Sequence, residues 1–355
     1  MKRRAFLAGT AALASCRVAD YRSEVRQRGV AFDGFRSTVG EDEFRALAAI
    51  GTTHVAFAVS GFMRDVADPN VSRTVGRRRG AGGGAGGRAS SDDRLITLTA
   101  MARDAGLEVA FVPTIGGFRG LSRNDIRMRT ETDWSEWFRQ YEQFVSDVAE
   151  MAMTSGAAGL TIGMELRGTV AREQQWRAVA EAARNRFGGW LTYAANWDDY
   201  QSVQWWDAVD YVGVQAYFEL GAPPVGSTGN ERQRFLRDQW RPIRDRMEGV
   251  SHAFDRPVLF TEIGYPSRVG GTERPWDWRE DGEPDDSLQA DAYTAAFQTF
   301  WNQPWFAGMY WWKWYASERL HARDWSHDYT PQNKQAQRVL ADWYGGPREG
   351  LADRK

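Results

Sequence analysis

The sequence predicts a single (β/α)8 barrel, and three observations lead to this fold class. Eight short apolar or aromatic runs recur along the chain, and most of them are separated by segments with helical periodicity. Strands that alternate with helices are typical of βαβ units in a parallel sheet, and eight such units close into a barrel. After the N-terminal segment, about 340 residues remain, which suits one large barrel with loop insertions.

Residues 1–16 have the composition of an export signal, with a basic start, a short apolar middle and a small-residue end. Residues 3–7 resemble the twin-arginine motif, and residues 13–16 resemble a bacterial lipobox, whose cysteine becomes the lipid-bearing N-terminus. We therefore expect an exported protein, anchored to the membrane of the bacterial cell envelope through Cys16. The alternative is an ordinary signal whose cysteine is incidental. Cys16 is the only cysteine, so no thiol remains afterwards for a disulfide, a metal site or catalysis.

The predicted catalytic barrel occupies residues 29–345, after a linker over 17–28 and before a tail over 346–355. Its strands are predicted at 29–32, 54–59, 107–113, 159–165, 190–196, 211–218, 257–262 and 307–312. The helices between them are predicted at 41–50, 93–105, 134–153, 173–187, 232–247 and 287–301. Asp133 and Ser287 are the expected N-caps, and Gly51, Gly106 and Gly188 are the expected helix ends.

One segment, over residues 76–90, interrupts this alternation because it is rich in glycine and contains three consecutive arginines. We predict a disordered loop here, between the second strand and its helix. A phosphate-binding loop is the alternative reading, but the lysine and the helix that make such loops specific do not follow it.

The composition excludes some function classes and favours another. Basic and acidic residues number 45 and 47, so nothing points to nucleic acid. The 17 tryptophans could fill the core or serve as flat platforms for sugar rings. His321, Asp324 and His327 could offer metal ligands, but a surface role fits their polar segment better. We expect no cofactor or metal, and a monomer.

Two predicted strands, the fourth and the seventh, end in a glutamate: Glu165 and Glu262. The C-terminal ends of parallel barrel strands are where such folds carry their chemistry, so both carboxylates could converge on one pocket. Paired carboxylates about 5 to 5.5 Å apart are the arrangement that retaining glycoside hydrolysis needs. The alternative is that each glutamate forms an ion pair with a neighbouring arginine, such as Arg167 or Arg268.

Five segments together resemble glycoside hydrolase family 113. The most specific are Thr-Tyr-Ala-Ala-Asn-Trp at 192–197 and Thr-Glu-Ile-Gly-Tyr-Pro-Ser at 261–267. The others are Ile-Gly-Met-Glu-Leu at 162–166, Val-Gly-Val-Gln-Ala-Tyr-Phe at 212–218 and Gly-Met-Tyr-Trp-Trp-Lys-Trp at 308–314. The resemblance implies a retaining (β/α)8 glycosidase whose substrate is a β-1,4-mannan.

The resemblance also implies roles for particular residues, with Glu165 as the acid/base and Glu262 as the nucleophile. It implies a sugar site lined by Asn196, Trp197, Tyr217, Trp312 and Trp314. Tyr217, at the end of the neighbouring sixth strand, is expected to hydrogen-bond Glu262, although a place in the barrel wall is an equal alternative.

One departure from related enzymes concerns the residue before the acid/base. Many relatives have an asparagine there that holds the sugar 2-hydroxyl, whereas this chain has Met164. Either another donor such as Asn196 does that work, or the substrate preference differs.

The eighth strand makes a further prediction possible. Neighbouring side chains on a strand point to opposite faces, so Trp311 and Trp312 cannot both face the barrel interior. Gly308 and Tyr310 share a face with Trp312, which favours Trp312 as the sugar-stacking residue and Trp311 as a residue packed against the outer helices.

Two function classes other than a glycosidase stay open at this point. One is a carbohydrate-binding envelope lipoprotein that keeps the barrel but does not catalyse. The other is a structural envelope protein that binds no sugar. The presence of both Glu165 and Glu262 favours the enzyme.

Overall fold

The computed structural model of the chain describes residues 26–34, 37–73, 91–118, 121–279, 282–322 and 324–345. The predicted signal with Cys16, nearly all of the linker, the glycine-rich loop and the C-terminal tail lie outside these residues. Within them, no helix combines the length and the apolar character needed to span a membrane.

Eight parallel strands form a closed barrel, which confirms the predicted fold. The first strand pairs with both the second and the eighth, and each remaining strand pairs with its neighbours in chain order. A two-residue strand, Ser72–Arg73, adds antiparallel to the second barrel strand. The barrel strands are β1 Gln27–Asp33, β2 His54–Phe62, β3 Glu108–Gly116, β4 Gly159–Met164, β5 Trp190–Asn196, β6 Tyr211–Gln215, β7 Val258–Ile263 and β8 Phe306–Tyr315.

The helices surround the barrel, and all six predicted ones are present. After β5, residues 197–210 contain two short 3₁₀ turns in place of an α-helix. The α-helices are α1 Glu41–Ala49, α2 Ser91–Asp104, α3 Glu131–Ser155, α4 Glu173–Arg184, α5 Asn230–Phe254, α6 Asp286–Phe300, α7 Ser317–Leu320 and α8 Gln335–Tyr344.

Both predicted N-caps are wrong by two or three residues. The side chain of Thr130 accepts the hydrogen bond from the backbone N–H of Asp133, so α3 begins earlier than its apolar pattern indicates. Asp285 caps α6 in the same way through Leu288. In each case a polar side chain one turn upstream satisfies a free N–H group of the first turn.

The N-terminal end of the barrel is closed by a polar and aromatic layer. Tyr310 of β8 donates to the side-chain oxygen of Gln27 at 2.7 Å, and the amide of Gln27 donates to Tyr211 at 3.2 Å. Ala56 and Leu259 complete this cluster. The interior is therefore filled at this end, and open space is found towards the C-terminal ends of the strands.

Two strands end before their predicted positions. β4 ends at Met164, one residue before Glu165, and β6 ends at Gln215, three residues before the predicted end. After Gln215 the N–H of Tyr217 bonds the Gln215 carbonyl at 3.0 Å, so the chain turns away from the strand direction. Both differences occur beside a residue that the sequence singles out.

Candidate active site

Glu262 faces the barrel interior because β7 is irregular where it occurs. Phe260 packs outwards against α5 and α6, so strict alternation would direct Thr261 inwards and Glu262 outwards. The pairing register of β7 shifts against both of its neighbours at this point. Such bulges redirect side chains next to active sites. As a result, Thr261 and Glu262 both line the interior cavity.

The Glu262 carboxyl is held by two side chains of the β6 end. The Tyr217 hydroxyl donates to Glu262 Oε2 at 2.8 Å, which confirms the predicted contact, and the Gln215 side chain donates to the same carboxyl. Burial and the negative charge of Glu262 keep the pKa of Tyr217 well above its usual value, so Tyr217 stays a donor. These two hydrogen bonds fix the orientation of the carboxyl.

The protein surrounds Glu262 closely enough to change its acidity. Burial first, and then the negative charge of Glu165, raise the pKa of Glu262 from 4.5 to about 7. The hydrogen bonds from Tyr217 and Gln215 and the positive charge of Arg123 act in the opposite direction. The charge of Glu165 therefore reaches Glu262, although Glu165 is not among the described residues that border the cavity.

Glu165 follows β4 in a backbone conformation that few residues other than glycine adopt. Its φ is 54°, in the left-handed region, while its N–H keeps the strand pairing by donating to the Ala194 carbonyl at 2.9 Å. Non-glycine residues held in this region cost of order 1 kcal/mol or more and cluster at functional sites. β4 also carries a register shift against β5 between Thr161 and Met164. An irregular strand therefore presents each of the two glutamates.

Arg123 is a site residue that the sequence reading missed. Its Nε lies 3.3 Å from Glu165 Oε2, and its guanidinium also donates to the hydroxyl of Thr114 on β3. Arg123 begins a short 3₁₀ turn fixed by a capping box between Ser122 and Asp125. That box, Ser-x-x-Asp, is the one local signal in the sequence that a defined turn lies here.

The interior cavity has a volume of about 290 Å³. Carboxylate, guanidinium, hydroxyl and indole groups all border it. Those of the site are Thr114, Arg123, Met164, Thr261, Glu262 and Trp312. Thr261 is buried, and its hydroxyl has no hydrogen-bond partner among the described residues. A half-polar cavity with an aromatic wall suits a ligand that combines hydroxyl groups with apolar faces.

The sequence profile of glycoside hydrolase family 113 matches residues 32–334, which include barrel strands β2 to β8 and both glutamates. The chain belongs to glycoside hydrolase family 113. A family 113 β-mannanase from Alicyclobacillus acidocaldarius, solved in complex with ManMIm, is 27% identical with a TM-score of 0.75. That similarity covers 92% of this chain and 99% of that one. Within this family the chain is a glycoside hydrolase.

Two further solved structures resemble the fold. A family 113 β-1,4-mannanase is 24% identical, with a TM-score of 0.72 over 91% of this chain and 99% of that one. A GH5_18 protein from Streptomyces cattleya, in complex with GlcNAc, is 17% identical, with a TM-score of 0.53 over 92% of this chain and 81% of that one. No curated protein sequence matches the chain.

Trp312 and Trp314 of β8 are both expected at the sugar site of this family 113 chain. Of these two, Trp312 lines the cavity. Trp311 faces the opposite way and stacks on Tyr293 of α6, with ring centroids 3.5 Å apart. The predicted register of β8 is thereby confirmed. Trp314, also expected at the site, is 6% exposed and belongs to the main core, and it is not among the described residues that border the cavity.

Asn196 and Trp197 lie at the C-terminal end of β5, near the site but with other contacts. The Asn196 amide nitrogen donates to Asn124 Oδ1 at 2.7 Å and to Asp199 Oδ2 at 3.5 Å. The group that Asn196 can offer a sugar is therefore its carbonyl oxygen, an acceptor, rather than the donor that the sequence reading invoked. Trp197 packs edge-on against Phe218 at 5.8 Å.

The neighbouring arginines do not form the ion pairs that the alternative reading required. Arg167 pairs with Asp198 and Asp199, and Arg268 donates to the carbonyl of Asp277. Glu165 pairs instead with Arg123, from a different loop. Over the described ranges, there is no cluster of three or more histidine, cysteine, aspartate or glutamate side chains suited to holding a metal ion.

Proposed function

We propose that this family 113 enzyme hydrolyses β-1,4-linked mannan with retention of configuration, with Glu262 as nucleophile and Glu165 as acid/base. One observation carries the proposal: Glu262 is partly buried, oriented by Tyr217 and Gln215, and close enough to Glu165 to be affected by its charge. Paired carboxylates at the ends of two barrel strands suit double displacement. The β-mannanase names of the similar structures support mannan as the substrate.

In the first step, a carboxylate oxygen of Glu262 attacks the anomeric carbon and forms a covalent ester. The bond to the leaving sugar breaks, and Glu165 delivers its proton to the departing oxygen. In the second step, Glu165 removes a proton from water as the water attacks the same carbon. The ester breaks, Glu262 is regenerated, and the sugar keeps its original configuration.

The reaction needs one proton shared between the two carboxyl groups. Above about pH 7, the raised pKa of Glu262 means that the pair loses its last proton, and no acid is left for the leaving group. Arg123 Nε lies 3.3 Å from Glu165 Oε2 and holds this carboxyl in position for both steps. Tyr217 and Gln215 stabilise the ionised form of Glu262, which is the form that attacks.

Substrate recognition in this proposal combines stacking with hydroxyl contacts. The Trp312 indole provides an apolar wall for one sugar ring. Met164 lines the cavity but cannot replace the hydrogen bond of the asparagine found in many relatives. Thr261 also lines the cavity, and its buried hydroxyl, which has no hydrogen-bond partner among the described residues, would contact a sugar hydroxyl after a rotation of the side chain.

Hydrolysis of a panel of β-mannan, β-glucan and xylan tests this function. We expect reducing ends to be released fastest from β-mannan, and Glu262→Ala to abolish release without lowering the melting temperature of the protein. Faster cleavage of glucan or xylan would overturn the substrate, and equal activity of Glu262→Ala would overturn the site. A protein that binds mannan without cleaving it would be the non-catalytic lipoprotein.

We also propose that the enzyme acts outside the cytoplasm on the bacterial envelope, held by a lipid on Cys16. The basic start, the apolar middle and the lipobox-like residues 13–16 support this location. At this location the enzyme has access to a polymeric substrate that cannot enter the cell.

A further inference from the structure

Two tryptophans on the catalytic side of the barrel are exposed to solvent and take no part in the site described above. Trp276 is 43% exposed and Trp278 is 74% exposed, and both lie in the loop that connects β7 to α6. This loop begins two residues after Glu262. Large exposed aromatic rings cost solvation free energy, and when polar groups surround them they commonly mark a binding surface.

Both rings are held in place by polar or charged neighbours. The Trp276 indole N–H donates to Glu219 Oε1 at 2.9 Å, and Glu219 follows Tyr217 by two residues. The guanidinium of Arg279 lies over the Trp278 ring, 5.4 Å from its centroid, which covers one face of that indole. We call Trp276 and Trp278, with Glu219 and Arg279 at their edges, the tryptophan platform.

The tryptophan platform is connected to the nucleophile through a continuous series of contacts. The carbonyl of Pro275, next to Trp276, accepts a hydrogen bond from the Tyr329 hydroxyl. The Tyr329 ring packs edge-on against Tyr217 at 6.3 Å, and Tyr217 donates to Glu262. The loop that carries the platform is therefore packed against the residues that orient Glu262.

The loop that carries the platform is also tied to the loop after β6. The Leu220 N–H donates to the Thr272 carbonyl at 2.8 Å, and the Thr272 hydroxyl donates to the Gly221 carbonyl at 2.8 Å. These paired bonds fix the first part of the loop, four residues before Trp276. A preordered surface binds its ligand with a smaller entropy cost.

We propose that the tryptophan platform binds sugar units of the same β-linked polysaccharide, beyond those that flank the scissile bond. This proposal rests on the proposed function. Sugar rings have an apolar C–H face and hydroxyl edges, which match an indole face beside a carboxylate and a guanidinium. A protein partner would also cover apolar area, but the polysaccharide is the ligand that the proposed function brings to this side of the barrel.

Kinetics on a long and a short substrate test the platform. For Trp276→Ala and Trp278→Ala we expect KM on mannohexaose to rise about tenfold, with kcat/KM on an aryl β-mannoside unchanged. Trp278→Phe, which keeps a ring, should recover most of the loss. Met153→Ala is the matched control, because Met153 is 59% exposed at the end of α3 on the opposite side of the barrel. Equal KM values for all variants on both substrates would overturn the proposal.

Retardation in native gels that contain soluble mannan, β-glucan or xylan separates the two proposals, since it needs no catalysis. If the enzyme cleaves none of the mannans but is retarded by one of these polymers, and both alanine variants lose the retardation, the platform stands and the substrate assignment fails. If the wild type and the alanine variants migrate alike in all three gels, the platform is overturned whether or not mannan is cleaved.

Discussion

Replacing Glu262 by glutamine should stabilise the protein at neutral pH while it abolishes activity. In the native state the proton that Glu262 shares with Glu165 is kept up to about pH 7, whereas in the unfolded chain Glu262 loses its proton near pH 4.5. Between these values the native state binds more protons, so the free energy of unfolding falls as pH rises. Each tenfold difference in proton affinity corresponds to 1.36 kcal/mol, so the free energy of unfolding is lower by about 3 kcal/mol above pH 7 than at acidic pH.

The assay is urea or thermal unfolding of the wild type and Glu262→Gln at pH values from 5 to 8. Glutamine accepts from Tyr217 as a protonated carboxyl does, so the two proteins should differ little at pH 5. The variant should gain about 2 to 3 kcal/mol on the wild type by pH 8. Glu181→Gln, at an exposed position of α4, is the control and should show no such trend. A stability difference independent of pH would refute the reasoning.

Three other predictions follow from the same geometry, and a fourth follows from the N-terminal sequence. The kcat/KM of the wild type should fall as pH rises through about 7, as the carboxyl pair loses its last proton; a pH–rate profile measures this. Arg123→Gln should move the fall in kcat/KM to higher pH, because the positive charge of Arg123 lowers the pKa of Glu262. An unchanged pH–rate profile would contradict this effect of Arg123. Trp311→Ala should lower the free energy of unfolding by about 3 to 5 kcal/mol, whereas Trp312→Ala should mainly lower kcat/KM. Melting curves and kinetics measure the two effects, and the opposite result would mean that Trp311 faces the sugar and Trp312 the helices. Cys16→Ser should release the protein from membranes or block its processing, and an intact mass with an unmodified mature N-terminus would contradict lipidation.

The parts of the fold that follow from periodicity were predictable from the sequence. Apolar runs and turn residues gave the eight strands within a few residues, since each buried strand must be apolar on the faces it packs. The opposite orientations of Trp311 and Trp312 followed from alternation, because these two residues pair with consecutive residues of β1. The resemblance to family 113 is confirmed by the profile match over residues 32–334.

The details of the site could not be read from periodicity because they depend on irregular backbone and on distant loops. Alternation along β7 would direct Glu262 away from the interior, and only the bulge corrects this. Arg123 reaches Glu165 from another loop, and the ion pair could not be recognised from the sequence around either residue. The contacts of Asn196 likewise depend on Asn124, 72 residues earlier in the chain.

The stereochemistry of azide rescue tests the central claim most directly. We predict that Glu165→Ala cleaves an aryl β-mannoside with an acidic phenol, because that leaving group needs no proton, and that azide accelerates turnover. Azide should attack the ester on Glu262, so proton NMR should identify the product as the β-mannosyl azide. An α-mannosyl azide from this variant would mean that Glu165 is the nucleophile, and no acceleration by azide would contradict its role as acid/base.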